Sequence, residues 1–304
     1  MDGGGKGSSS ISVFNKFVDL SIIIHPQHLS LIIPSRWFTG GKGLDEFRDK
    51  MLIDNRINKI VDFFDSTTVF PTADISGGIC YFLWTTKKHD LCEIISYVNG
   101  EITSMKRPLM EENSPLFIRF NKSVSILRKI FSQKEKSFNS LVSTRRPFGD
   151  INIDNSTKED KIFVYAYPKN GYISSKSISF GEEYIKQWKV FITKAYGERG
   201  EFPYFVIGKP FIGKPNEVCT ETYLLIQGNN SENICKNIIS YMKSKFFRFL
   251  VLQIKNTQNA PKGVYRFVPI QDFSEIWTDE KLYKKYDLTN EEIATIEQMI
   301  KPME

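Results

Sequence analysis

The segment Val69-Phe70-Pro71 is followed by Asp74-Ile75-Ser76-Gly77-Gly78 and then by the apolar run Ile79 to Trp84. An aromatic on a turn at a strand edge, stiffened by a proline, can present its ring face to a planar ligand. Taken alone, a phenylalanine is more often part of a core. Gly77-Gly78 inside a strand pattern points to a bulge or a close approach of backbone. A second set of candidates carries cations and amides. Arg145-Arg146 precede Pro147 in a loop-like context, and Lys255, Asn256, Gln258, Lys262 and Arg266 follow the strongest helix pattern in the chain. Arg, Asn and Gln can make paired hydrogen bonds to base edges, whereas Lys mostly meets phosphate. Singly, each is better read as a solvated surface charge; the cluster Lys255 to Arg266 supports either reading equally.

Other constellations carry less. Gly3-Gly4-Gly5-Lys6-Gly7-Ser8 fails as a phosphate loop, because Gly7 rather than Ser or Thr follows the lysine and no strand precedes it. Gly40-Gly41-Lys42-Gly43 stands before a helical segment, where free N–H groups attract anions, although a plain helix start explains it as well. His25, His28 and His89 have no spacing suited to metal binding or acid–base work. Cys80, Cys92, Cys219 and Cys235 are far apart and read as reduced thiols of a cytoplasmic protein. No spaced set of carboxylates and lysine points to a nuclease.

These residues need elements to position them. Ile11 to Ile24 has helix spacing, His28 to Pro34 reads as a buried strand, Leu44 to Asn55 as a helix, and Arg56 to Phe64 and Ile75 to Trp84 as strands. The order helix, strand, helix, strand, strand suits the second half of an open α/β sheet. After about residue 100 short strand-like runs alternate with turns: Leu116 to Phe120, Lys161 to Tyr167, Tyr204 to Ile207 and Glu221 to Ile226. Asp150 to Lys161 reads as an exposed loop, Asn233 to Val251 as one helix bearing Lys243, Lys245 and Arg248, and Glu291 to Ile300 as a last helix. The chain has 304 residues, enough for two domains or one large one. A net charge of +6 permits a polyanionic partner without demanding one. The aromatic content, 24 Phe and 13 Tyr, suits a core or a base-stacking surface equally. No apolar run reaches the roughly 18 residues of a membrane span.

Leu31-Ile32-Ile33-Pro34-Ser35-Arg36-Trp37-Phe38, then Val69-Phe70-Pro71, then Ile75 to Trp84, resemble consecutive motifs of adenine-specific DNA methyltransferases of the TaqI-like, restriction–modification type. Lys189 to Ile192 with Ala195-Tyr196-Gly197, Cys219 to Tyr223, Lys245 to Phe249, and Val268 to Phe273 with Trp277-Thr278-Asp279 are similar to segments of the recognition region in such enzymes. The resemblance implies an α/β fold: the C-terminal half of an open, Rossmann-like methyltransferase sheet over residues 1–105, then an α+β DNA target-recognition domain over 106–304. It implies that Phe70, with Pro71, stacks on an adenine flipped from the duplex, since an extruded base needs a flat partner. The implied contacts to double-stranded DNA are Arg145, Arg146, Lys255, Asn256, Gln258, Lys262 and Arg266.

Two departures qualify this. The sequence contains no Asn-Pro-Pro-Tyr or Asp-Pro-Pro-Tyr, and no strand-plus-glycine loop of the kind that holds S-adenosylmethionine. Relative to a complete enzyme, the chain therefore reads as truncated, split or internally started. The resemblance implies transfer of a methyl group from S-adenosylmethionine to the adenine amine in a complete enzyme, with no metal. This chain alone is expected to be inactive and not to hold the cofactor tightly. A separately encoded N-terminal catalytic half or a cognate restriction endonuclease is the implied partner, with no membrane. The alternative is a noncatalytic, sequence-specific DNA-binding module serving a separate catalytic half.

Overall fold

The computed structural model describes residues 2–3, 11–41, 43–114, 116–156, 160–196 and 202–303. They form a mixed α/β structure with several sheets, in two compact units, the first ending at Ser132 and the second beginning at Gln133.

In the first unit, α1 (Phe14–Ile23) and α2 (Asp45–Ile53) flank strand β1 (His28–Pro34), and β2 (Ile57–Phe63), β3 (Ile79–Thr85), β4 (Cys92–Val98) and β5 (Glu101–Arg107) follow. The five-strand order is β1-β3-β2-β4-β5. All neighbours are antiparallel except β2 and β4. Alternation decides the core face. Cys80, Phe82 and Trp84 of β3 are buried with Ile60, Ile94, Phe47 and Met51, while Tyr81 and Leu83 on the opposite face are half-buried. Trp37, from the turn after β1, donates its indole N–H to the Cys80 Sγ at 3.4 Å. The five elements read from the sequence up to Trp84 are present within a few residues, the last beginning at Ile79 rather than Ile75. The strand β1 is not the buried strand expected: it lies at the sheet edge, and only Ile33 in it is buried.

Burial pushes the thiols of Cys80 and Cys92 up to about 12 from an ordinary 9.0. A thiol that stays protonated when folded but ionises when unfolded contributes fully below the unfolded value. It loses that contribution as pH rises toward the folded one. The urea midpoint of this unit is therefore expected to fall between about pH 9 and about pH 10. Above that range Arg107, lowered by burial to about 10, begins to act in the opposite sense. Fluorescence of Trp37 and Trp84, in a chain with Trp188 and Trp277 replaced by Phe, reads this directly. A flat midpoint over that interval would contradict the account.

The hairpin β4–β5 is absent from the sequence reading, although Asn99-Gly100 between two strand-like runs is a strong hairpin signal. Both residues take positive φ, 50° and 80°. The expected division after residue 105 would cut β5, and the units part only after α3 (Val124–Ser132). The reason is packing: Leu116, Phe117, Ile118 and Phe120 are buried, and the buried Arg107 guanidinium donates to the Ile118 carbonyl. Leu116 to Phe120 is accordingly no ladder strand; its apolar residues bury along a crossing segment.

The second unit holds two three-stranded sheets. One has the order β9 (Phe211–Gly213), β8 (Trp188–Thr193), β11 (Tyr223–Asn229); the other β10 (Glu217–Cys219), β6 (Lys161–Tyr165), β7 (Gly171–Ser174). Helices α4 (Glu232–Lys243), α5 (Lys245–Leu252), α6 (Asp279–Lys285) and α7 (Asn290–Met299) complete it. The single helix expected over Asn233 to Val251 is two. Ser244 leaves helical geometry, with ψ 149°, and its side chain accepts from the Phe247 N–H, starting α5 afresh. Tyr204 to Ile207 is not a strand; Tyr204 makes only an isolated bridge to Ile300.

Candidate nucleic-acid interface

Phe70 lies on the connection from β2 to β3, in a loop closed by one serine. Ser66 is fully buried at the start of a short 3-10 turn, Ser66–Thr68, which Asp65 caps by accepting from the Thr67 N–H at 2.9 Å. The Ser66 carbonyl accepts from the Phe70 N–H at 2.8 Å. Its hydroxyl donates to the Ala73 carbonyl at 2.9 Å and accepts from the Ile75 N–H at 2.8 Å. The Ala73 N–H in turn donates to the Phe70 carbonyl at 2.9 Å. Backbone on both sides of Phe70-Pro71 is thus held from below. Phe70 as a residue is 37% exposed, and Pro71 is exposed.

The loop returns to β3 through Gly77 and Gly78, with φ 83° and 77°. A Cβ at Gly78 would lie 2.2 Å from the Phe63 carbonyl oxygen and 2.6 Å from that of Phe64. Backbone cannot yield as a side chain can, so Gly78→Ala is expected to cost about 2–4 kcal/mol of stability. Urea unfolding measures this, and a loss under about 0.5 kcal/mol, the ordinary scatter of surface changes, would show the contact to be slack.

Beneath the loop lies a buried polar network. Asp62 interrupts the apolar run of β2, and its Oδ2 accepts from Arg119 Nε at 2.6 Å while its Oδ1 accepts from Arg119 Nη2 at 2.9 Å. The Ser35 hydroxyl donates to Asp62 Oδ1 at 2.6 Å, and the Ser35 N–H to the Gly78 carbonyl at 3.0 Å. The Arg119 guanidinium sits 4.8 Å from the centre of the Phe64 ring. Asp62, Arg119 and Ser35 are all at most 5% exposed. Sequence reasoning missed Ser66, Asp62 and Arg119. A polar residue inside an apolar strand was the available signal, since a buried charge demands a partner. On the sheet face opposite the core, half-buried Phe63 stacks on Tyr97, with ring centres 4.5 Å apart.

Of the glycines before α2, Gly41 already serves a carboxylate of the chain. The Gly41 N–H donates to Asp45 Oδ1 at 3.2 Å, so a carboxylate already stands where an anion would. Gly3 to Ser8 lie outside the described residues apart from the backbone of Gly3.

The expected DNA contacts are placed unequally. Arg145 and Arg146 are exposed, and both bind one carboxylate oxygen of Glu221, Arg145 Nη2 at 2.6 Å and Arg146 Nε at 3.0 Å. Arg146 also pairs with Asp150 at 2.6 Å. These two arginines, Arg146 first, hold the Glu221 carboxyl below its usual range. Lys255 is buried, with its ammonium on the Tyr196 carbonyl at 3.2 Å, which turns it inward rather than toward a ligand. Asn256 is half-buried, Gln258 and Arg266 are exposed, and Lys262 opens a short 3-10 turn after Pro261. Among the described residues no cluster of three or more His, Cys, Asp or Glu could hold a metal, and no helix is long and apolar enough to cross a membrane.

Residues 2–70 match the family model of the Eco57I restriction-modification methylase. That stretch carries β1, β2 and the loop as far as Phe70. A curated relative from Mycoplasma pneumoniae, described as an uncharacterized adenine-specific methylase, is 38% identical over 82 residues, which are 27% of this chain and 19% of that protein. Two solved structures are similar at low identity. The type IIG restriction endonuclease BpuSI covers 93% of this chain with 45% of its own, at 12% identity and a TM-score of 0.36. The type IIL restriction-modification enzyme MmeI, solved in complex with DNA, covers 87% with 41% of its own, at 10% identity and a TM-score of 0.47. The chain thus spans less than half the length of either.

Proposed function

We propose that this chain is part of a site-specific DNA methyltransferase acting on the exocyclic amine of adenine in a restriction–modification system. In this reading the first unit is the C-terminal part of a Rossmann-like catalytic domain and supplies one wall of the base pocket. The second unit reads the duplex. The observation that carries the proposal is Phe70. Its ring is exposed on a loop fixed by Ser66 and Gly78, at the end of the stretch that matches a methylase family. A flat, pre-positioned ring replaces the stacking that an extruded base loses. Gln258, Lys262, Arg266 and Asn256 are the proposed DNA contacts of the second unit. Arg145 and Arg146 contribute where phosphate displaces Glu221, and Lys255 braces the segment from within.

The methyl donor of such a reaction is S-adenosylmethionine. Gly41 does not offer it a free N–H, since Asp45 accepts that hydrogen bond, and in the proposed assembly residues outside this chain hold the donor. The absence of Asn-Pro-Pro-Tyr keeps a second reading alive, a noncatalytic specificity module. One experiment separates the two. The full chain is mixed with a separately produced cofactor-binding half, DNA and labelled S-adenosylmethionine. Label on adenine only in the mixture supports the split enzyme. Sequence-selective binding without label supports the module. Absence of both defeats the proposal.

A further inference from the structure

The second unit contains a cleft that none of the expected contacts enters. Strands β8 and β11 pair antiparallel, but their register shifts between Trp188 and Val190. The shift is possible because position 228 is glycine: a Cβ there would lie 2.0 Å from the Trp188 carbonyl oxygen. At this irregularity opens a cleft of about 310 Å³, lined by Gln187, Gln227, Gly228, Asn229, Asn230, Glu183 and Tyr184. Gln227, Asn229 and Asn230 are exposed, and Gln187 is half-buried. No hydrogen bond within the described residues engages any of these four side-chain amides.

Four residues that carry side-chain amides line this one opening. Gln227 and Asn229 stand on either side of Gly228, at the register shift of β11. Each amide sets a donor beside an acceptor. That pair matches the adenine edge in the major groove, where N7 accepts and the N6 amine donates. The lining contains no Lys or Arg, and it includes the Glu183 carboxylate. Such a wall repels phosphate and disfavours the two acceptors of guanine, while it welcomes an exocyclic amine.

Resting on the reading of the second unit as the part that meets DNA, we infer that the Gln187–Gln227–Asn229–Asn230 cleft is a base-reading site that selects adenine within the recognised sequence. Specificity is then separated in space from the basic residues that supply affinity. Phosphate contacts fix position, and the amide cleft decides which base pair is accepted.

Selection from a pool of random duplexes with the full chain, followed by sequencing, tests this. Three proteins are compared: wild type, the double variant Gln227→Ala with Asn229→Ala, and Asn229→Asp. The wild type is expected to enrich a sequence with a required adenine. The double variant should lose discrimination at that one position by about tenfold or more, while its affinity for unrelated DNA and its salt dependence stay those of the wild type. Asn229→Asp keeps the side-chain shape but loses the donor, so preference should move toward cytosine, whose N4 amine needs only an acceptor. It also keeps the test open if the double variant does not fold. Selective wild-type binding with unchanged discrimination in both variants would overturn the inference alone. Binding by the wild type without any sequence preference would overturn both the inference and the recognition role of the second unit.

Discussion

Arg119→Met is expected to destabilise the first unit by about 3–5 kcal/mol, the usual cost of stranding one member of a buried ion pair. Asp62, at 1% exposure, would keep only the Ser35 hydroxyl at 2.6 Å against its negative charge. Asp62→Leu should cost a similar amount by stranding the guanidinium. The double replacement, apolar on both sides, should be clearly milder than the sum, because neither charge is left alone. Urea midpoints of the two single variants and the double variant measure this. Additive losses would mean that the two groups stabilise the unit independently. The consequence extends to the loop, since Arg119 Nη2 lies 2.9 Å from where a Gly78 Cβ would stand and the Ser35 N–H holds the Gly78 carbonyl. Loss of the pair should therefore loosen the Phe70 turn as well as the core, and hydrogen exchange at the Phe70 and Ala73 amides should quicken.

Phe70→Ala should behave in the opposite way: nearly silent in stability and large in function. The ring is too exposed for its removal to leave a full cavity, and the loop bonds around it run through backbone and Ser66. In an active assembly the loss of base stacking, about 1–3 kcal/mol, corresponds to roughly 5- to 150-fold in handling of the extruded adenine. Phe70→Trp retains a flat face and should fall well short of that loss. Methylation rates under saturating donor, set beside urea midpoints of the same proteins, separate the two effects. A variant as active as wild type would reduce Phe70 to packing.

The elements that local pattern specifies were readable. Apolar alternation and turn residues placed α1, β1, α2, β2 and β3, and a proline-stiffened aromatic was found where the chain does expose one. What escaped depends on partners distant in sequence. Asp62 and Arg119 are separated by 57 positions, and nothing local to either shows that they meet. Arg145 finds Glu221 76 positions away, which turns an expected free cation into half of an ion pair. Lys255 looks like its exposed neighbours in sequence and is buried only because the chain folds over it near Tyr196. The break at Ser244 was missed for a different reason. Apolar periodicity continues across it, and the serine cap competes successfully with helix continuation. The amide cleft depends on the pairing of β8 with β11 and on the space that Gly228 leaves, neither of which spacing reveals.

The most direct measurement is photocross-linking of the full chain to its selected duplex, with iodouracil in place of the target adenine. If a base swings out of the helix and rests on the exposed ring, long-wavelength irradiation should give an adduct that mass spectrometry places on the peptide containing Phe70. An adduct confined to peptides of the second unit, or none on a duplex that the chain binds selectively, would contradict the account.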